Sequence, residues 1–187
     1  MAKRGYRHML TFPNGVTAIR IIAIPVILLL LFNTGRMFQI ITALVFLLVA
    51  LTDMVDGYFA RRQKMVTTLG KFFDPLADKL LIVTALIALI SARDIPVWIV
   101  IIIVGREIAV TGLRGIALSE GIVISSSMLG KYKTAFEMTS IFFLILKGPF
   151  LSIDFHLIGM VLLWVALALA VISGFDYFKK FLEKIIA

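Results

Sequence analysis

Cysteine is absent from this 187-residue chain, and histidine occurs only as His8 and His156. Disulfides, thiolate metal sites and cysteine nucleophiles are therefore excluded, and zinc or copper would find almost no preferred ligands. Charge is scarce as well: 16% of the residues are Asp, Glu, Lys or Arg, against about 25% in soluble domains. Acids are the rarer sign, 11 against 19 basic residues, for a net charge of +8. Internal repeats and low-complexity segments are missing too. What fills the chain is apolar: 61% hydrophobic residues and a mean hydropathy of +1.06. A soluble protein of this size has too little interior to hide such a surplus. A cytosolic globular domain, a disordered tail and a secreted disulfide scaffold are all excluded, and a polytopic membrane protein is expected.

A basic balance can serve nucleic acid or an anionic membrane surface. Here the basic residues form short groups between long apolar runs, and most aromatics are Phe inside those runs. That is no nucleic-acid footprint; the expected partner is the lipid bilayer.

Runs near the roughly 20 residues needed to span a bilayer are Val16–Phe32, Phe38–Gly57, Pro75–Ala92, Ile95–Val110, Gly130–Leu146 and His156–Ser173. Turn chemistry separates them at Asn33-Thr34-Gly35, Arg93-Asp94-Ile95-Pro96 and Lys147-Gly148-Pro149. The first run follows Lys3, Arg4 and Arg7 but lacks a small-residue cleavage site and contains Pro25, so it reads as a retained span. Of the Lys and Arg residues outside the first span, only Arg36, Arg93 and Lys147 fall in the loops on one side. The positive-inside rule puts the opposite side, with both termini, in the cytoplasm. The expected fold is all-α: one membrane domain over 1–187 with six transmembrane helices, both termini cytoplasmic and a short N-terminal interfacial segment. Leu113–Leu129 reads as an interfacial loop or short helix. Lys179, Lys180 and Lys184, interleaved with Phe178, Phe181 and Ile185, read as an amphipathic tail on the inner leaflet. Asp94 and Asp154 have no evident partner, and Trp98 and Trp164 are expected to pack within spans.

Four acids form a pattern. Asp53 and Asp56 are three apart at the end of the second span; Asp74 and Asp78 are four apart at the start of the third. Both spacings place side chains on one helix face, and the short link Arg62–Leu69 lets the two pairs face each other. Four carboxylates at a membrane interface repel one another and need positive charge. Arg61, Arg62, Lys71 and Lys79 could supply it as surface ion pairs. Taken as a set, the acids suit divalent cations with oxygen ligands, Mg²⁺ or Mn²⁺. Gly57 and Ala60 lie one turn beyond Asp53 and Asp56, which serves either close helix packing or the approach of a bulky group.

Written out, the stretch is Asp53-x2-Asp56-Gly57-x2-Ala60-Arg61-x8-Gly70-x3-Asp74-x3-Asp78. It resembles, at all eight positions, the signature of the CDP-alcohol phosphatidyltransferase family. Pro13-Asn14-x2-Thr17-x2-Arg20 resembles the family's entry into its first span. The resemblance implies six spans, a homodimer, and transfer of a phosphatidyl group from CDP-diacylglycerol to an alcohol with release of CMP. It implies two divalent metals held by Asp53, Asp56, Asp74 and Asp78, with Asp78 also the general base. Gly57, Ala60 and Arg61 would contact CDP-diacylglycerol, with Thr67, Asn14, Thr17 and Arg20 as further candidates for the same site. The active site would face the cytoplasm from the inner, cytoplasmic membrane.

The acceptor is read elsewhere. Gly105-Arg106-Glu107-x3-Thr111-Gly112-Leu113-Arg114 and Gly130-Lys131-x-Lys133-Thr134 place Arg106, Arg114, Lys131 and Lys133 near the cytoplasmic ends of spans four and five. Such a cationic group suits a phosphate-bearing acceptor, although positive-inside residues mark helix ends in the same way. Arg106-Glu107, directly after an apolar run, is costly at that depth and asks for a function. Both stretches resemble the family branch that uses sn-glycerol 3-phosphate. Inositol phosphate or phosphatidylglycerol as acceptor, a membrane prenyltransferase and a divalent-cation transporter are the alternatives that the residues leave open.

Overall fold

The computed structural model describes residues 12–63, 68–120, 122, 127–150 and 153–186, with side chains for 20–52, 79–120, 122, 127–148 and 153–184. Six helices run in chain order: α1 (Phe12–Leu31), α2 (Arg36–Gln63), α3 (Thr68–Arg93), α4 (Val97–Ser119), α5 (Met128–Ile145) and α6 (Phe155–Ile186). A two-residue antiparallel ladder, β1 (Pro149–Phe150) with β2 (Ile153–Asp154), joins α5 to α6. Each of the six expected runs falls on one of these helices. The N-terminal interfacial segment lies outside the described residues.

Several boundaries differ from the sequence reading, each for a local reason. The fourth helix does not stop at Val110: Leu113–Ser119 continues α4, and the backbone N–H of Glu120 closes the last turn on Ile116. Of the expected link Arg62–Leu69, Arg62 and Gln63 belong to α2 and Thr68 and Leu69 to α3. The basic tail after Asp176 is the last part of α6, not a separate element. Asp154 does have partners: its Oδ1 accepts from the backbone N–H groups of His156 at 2.9 Å and Leu157 at 3.3 Å, capping α6. Asp94 pairs with Lys147 at 3.0 Å. It also takes the left-handed conformation at φ 55° that often ends a helix, here α3.

Six of the described hydroxyls are satisfied within their own helices. Thr42, Thr52, Thr111, Thr134, Thr139 and Ser173 each donate to a carbonyl four residues earlier. That removes the cost of a hydroxyl in apolar surroundings. By length and composition, one helix among the described residues, Phe155–Lys184, is apolar enough to cross a membrane; Arg20–Leu31 and Arg36–Thr52 are shorter apolar stretches. Charges interrupt α4 at Arg106, Glu107 and Arg114, and α5 at Lys131, Lys133 and Glu137.

Two compact units divide the chain at Ala88–Leu89, within α3. In the first, α1 packs on α2, with Ile27, Leu31, Ala43 and Phe46 buried. In the second, α6 packs along α5 and also against α4. The α5–α6 contact is close because Gly159 has no side chain: a Cβ there would meet Leu144 Cγ at 2.7 Å and its backbone nitrogen at 3.0 Å. Ser140 Oγ donates to the Gly159 carbonyl at 2.7 Å across the same contact. Trp98 of α4 and Trp164 of α6 meet edge to face at 5.2 Å, but about half of each remains exposed.

Candidate active site

Two residue groups carry the expected chemistry. Asp53, Asp56, Gly57, Ala60 and Arg61 lie on the last part of α2, and Gly70, Asp74 and Asp78 on the first part of α3. The helical backbone there supports the register read from the sequence. Asp53, Asp56, Gly57 and Ala60 share one face of α2, and Gly70, Asp74 and Asp78 share one face of α3. Their side chains are outside the described set. Thr67 lies outside the described residues, Asn14 and Thr17 are on the first turns of α1, and Arg20 is buried further along that helix.

The second group is described atom by atom. Arg106 of α4 is held on three sides. One guanidinium nitrogen donates to the neighbouring Glu107 carboxylate at 2.6 Å. A second donates to Ser173 Oγ at 2.8 Å, and Nε to the Ala170 carbonyl at 3.2 Å, both on α6. Gly174 eases this approach, since a Cβ there would stand 3.2 Å from Arg106 Cγ. Lys133 of α5, 2% exposed, lies 2.5 Å from Glu107 and 2.8 Å from Glu137, which is fully buried. The contact with Glu137 is ionic and outside hydrogen-bond geometry, so Glu107 receives the better-formed bond. Two basic and two acidic side chains thus meet in one buried node that ties α4, α5 and α6, so that each of them has a partner of opposite type.

Arg114, two turns along α4, is exposed but donates to the hydroxyl of Tyr177 and lies over its ring, 4.7 Å from the centroid. Arg106 is 5.8 Å from the same centroid on its own approach. Lys131, two positions before Lys133, is exposed on a different face of α5. The structure therefore gathers Arg106 and Lys133 around Glu107, and links Arg106 to Arg114 through Tyr177, while Lys131 stands apart.

The profile of the CDP-alcohol phosphatidyltransferase family matches residues 10–172. This chain belongs to that family. It is 40% identical over 185 residues to CDP-diacylglycerol–glycerol-3-phosphate 3-phosphatidyltransferase of Bacillus subtilis (strain 168), covering 92% of this chain and 95% of that protein. The protein of the same name from Rickettsia bellii (strain RML369-C) is 38% identical over 168 residues, 89% of this chain and 93% of its own. A protein named probable phosphatidylglycerophosphate synthase, from Mycobacterium tuberculosis (strain ATCC 25618 / H37Rv), is 37% identical over 186 residues, 97% of this chain and 86% of its own.

CDP-alcohol phosphatidyltransferases are membrane-associated and generally depend on divalent metal ions. The donor chemistry of this member fits: four carboxylates in two same-face pairs, with neither Cys nor His in the signature. Among the described residues no three metal-ligating side chains converge; the four signature acids are not in that set. Sequence reasoning did not single out Glu137, Ser173, Gly174 or Tyr177. The signal available for Glu137 was its place four residues after Lys133. Ser173 and Tyr177, likewise four apart on α6, had no signal until α6 was packed on α4.

Proposed function

We propose that this chain is an integral membrane enzyme that transfers the phosphatidyl group of CDP-diacylglycerol to sn-glycerol 3-phosphate, giving phosphatidylglycerophosphate and CMP. The observation that carries the reading is the complete eight-position signature on α2 and α3, inside a family match over 10–172. Identities of 37–40% over most of the chain to proteins named for this activity support it.

Asp53, Asp56, Asp74 and Asp78 would hold two divalent ions, Mg²⁺ or Mn²⁺, which when bound offset the charge of the donor's pyrophosphate and of the departing CMP. Asp78 would take the proton of the attacking glycerol hydroxyl as its oxygen bonds to the phosphatidyl phosphorus and the bond to CMP breaks. Gly57 and Ala60 leave room beside the acids. Arg61, with Asn14, Thr17, Arg20 and Thr67, would bind the cytidine diphosphate part of the donor. Arg106, Arg114, Lys131 and Lys133 would bind the acceptor phosphate, guanidinium forks and point charges being suited to its oxygens.

We read α1 to α6 as six spans of one membrane domain over 1–187, both termini and the site cytoplasmic. Support comes from one helix per expected run and from the charge asymmetry of the loops. It comes also from large apolar side chains facing outward on α1, α2, α4 and α6, among them Leu29, Leu48, Ile101 and Phe175. The family's homodimer belongs to the same reading.

The deciding experiment is CMP release by the purified protein with CDP-diacylglycerol and Mg²⁺, comparing glycerol 3-phosphate, inositol phosphate and phosphatidylglycerol as acceptors. Release that requires glycerol 3-phosphate is expected. Release with another acceptor alone would keep the family and overturn the acceptor.

A further inference from the structure

Tyr177 is 3% exposed, yet its hydroxyl and ring serve three separate groups. Its hydroxyl accepts from the Arg114 guanidinium and, at 3.1 Å, from the backbone N–H of Ser127. Ser127 is the N-cap of α5, its own Oγ accepting from the Gly130 N–H at 3.1 Å. The ring lies 4.7 Å from the Arg114 guanidinium carbon and 5.8 Å from that of Arg106. Eight residues of helix separate these arginines by about 12 Å along α4, and Tyr177 reaches both from α6.

The chemistry of the two arginines differs. Arg106 is tied at 2.6 Å to Glu107, a carboxylate it shares with Lys133. The hydroxyl of Tyr177 holds Arg114 by a neutral acceptor and a π face, which orient a guanidinium without cancelling its charge. A phosphate needs that combination, because fork recognition depends on direction as well as on charge. A free Arg side chain loses considerable rotamer entropy when it is fixed; one already fixed by Tyr177 has less to lose on binding.

From this geometry we propose that Tyr177 is a positioning residue for acceptor specificity, holding Arg114 charged and aimed for the phosphate of the acceptor and coupling it to Arg106 and the start of α5. Tyr177 acts through the arginines and need not touch the substrate. The proposal rests on the reading of Arg106 and Arg114 as acceptor-phosphate ligands.

Its test is the steady-state kinetics of the full-length protein in mixed micelles, with glycerol 3-phosphate and CDP-diacylglycerol varied in turn. Tyr177→Phe should raise the KM for glycerol 3-phosphate about tenfold to a hundredfold, the range expected for a lost hydrogen bond to a charged group. The KM for CDP-diacylglycerol should stay unchanged. Arg114→Lys keeps the charge but gives up the fork, and should reproduce the effect should Tyr177→Phe fold poorly. In Arg114→Gln the further change Tyr177→Phe should add little to the acceptor KM, because the charged partner of the hydroxyl is already gone and the Ser127 N–H alone remains. Unchanged kinetics in Tyr177→Phe, additive effects in the double variant, or equal rises in both KM values would overturn the proposal. If Arg106→Gln and Arg114→Gln themselves leave the acceptor KM unchanged, the acceptor reading falls first, an outcome distinct from arginines that matter beside a tyrosine that does not.

Discussion

The ammonium of Lys133 on α5 donates to the Glu107 carboxylate on α4 at 2.5 Å, with the lysine only 2% exposed. Buried this far, each charge depends on the other. Lys133→Met would strand Glu137 without its cation, while Glu107 keeps Arg106. Removing one partner of a buried pair costs about 3–5 kcal/mol, so a clear drop in thermal midpoint in detergent is expected. Lys133→Met combined with Glu137→Leu should recover part of the loss. A double variant as unstable as the single one would show that the ion pair is not the source.

At the α5–α6 contact, Gly159→Ala should destabilise the protein. A methyl there meets the Leu144 backbone nitrogen at 3.0 Å, which only a helix displacement can relieve. Overpacking of this kind costs about 1–3 kcal/mol. Gly115→Ala, with nothing within 4 Å of the added carbon, should be neutral or stabilising by up to about 1 kcal/mol from helix propensity. Equal thermal midpoints for the two variants would contradict the close approach.

The carboxylates of α2 and α3 can be separated by kinetics. Asp78→Asn should lower CMP release by about 10²- to 10⁴-fold, the range of a general base. Chelation with EDTA should abolish release in the wild type, and Mg²⁺ or Mn²⁺ should restore it. Activity that survives exhaustive chelation would remove the metal assignment of Asp53, Asp56, Asp74 and Asp78.

Asp94 gives a pH signature away from the spans. The hydrogen bond and charge of Lys147 hold its carboxyl below the usual carboxylate range. A lowered folded value means that the pair stabilises the protein above the ordinary Asp pKa of about 3.9, and that the contribution fades as pH falls through the folded value. The thermal midpoints of wild type and Asp94→Asn should therefore differ slightly at pH 7 and converge only in acid, as pH falls below the ordinary carboxylate range. A gap that persists in acid would rule the pair out as its cause.

The sequence by itself determined the six helices, because each apolar run is bounded by Asn, Gly, Pro or charge, and those signals are local. It also determined the family, since the spacing of Asp53, Asp56, Asp74 and Asp78 is a property of the chain alone. Helix ends at Ser119 and Ile186 were less legible: polar residues continue a helix as readily as they end it when no breaker intervenes. Which cations stand together was decided only by tertiary structure. Lys131 and Lys133 are equivalent in composition, yet one is exposed and the other is enclosed by Glu107 and Glu137. Tyr177 reads in sequence as part of an aromatic, basic tail; packed on α4 it is the partner of Arg114 and the neighbour of Arg106. The reason is physical: side-chain spacing along one helix fixes a face, but only packing against another helix sets what that face meets.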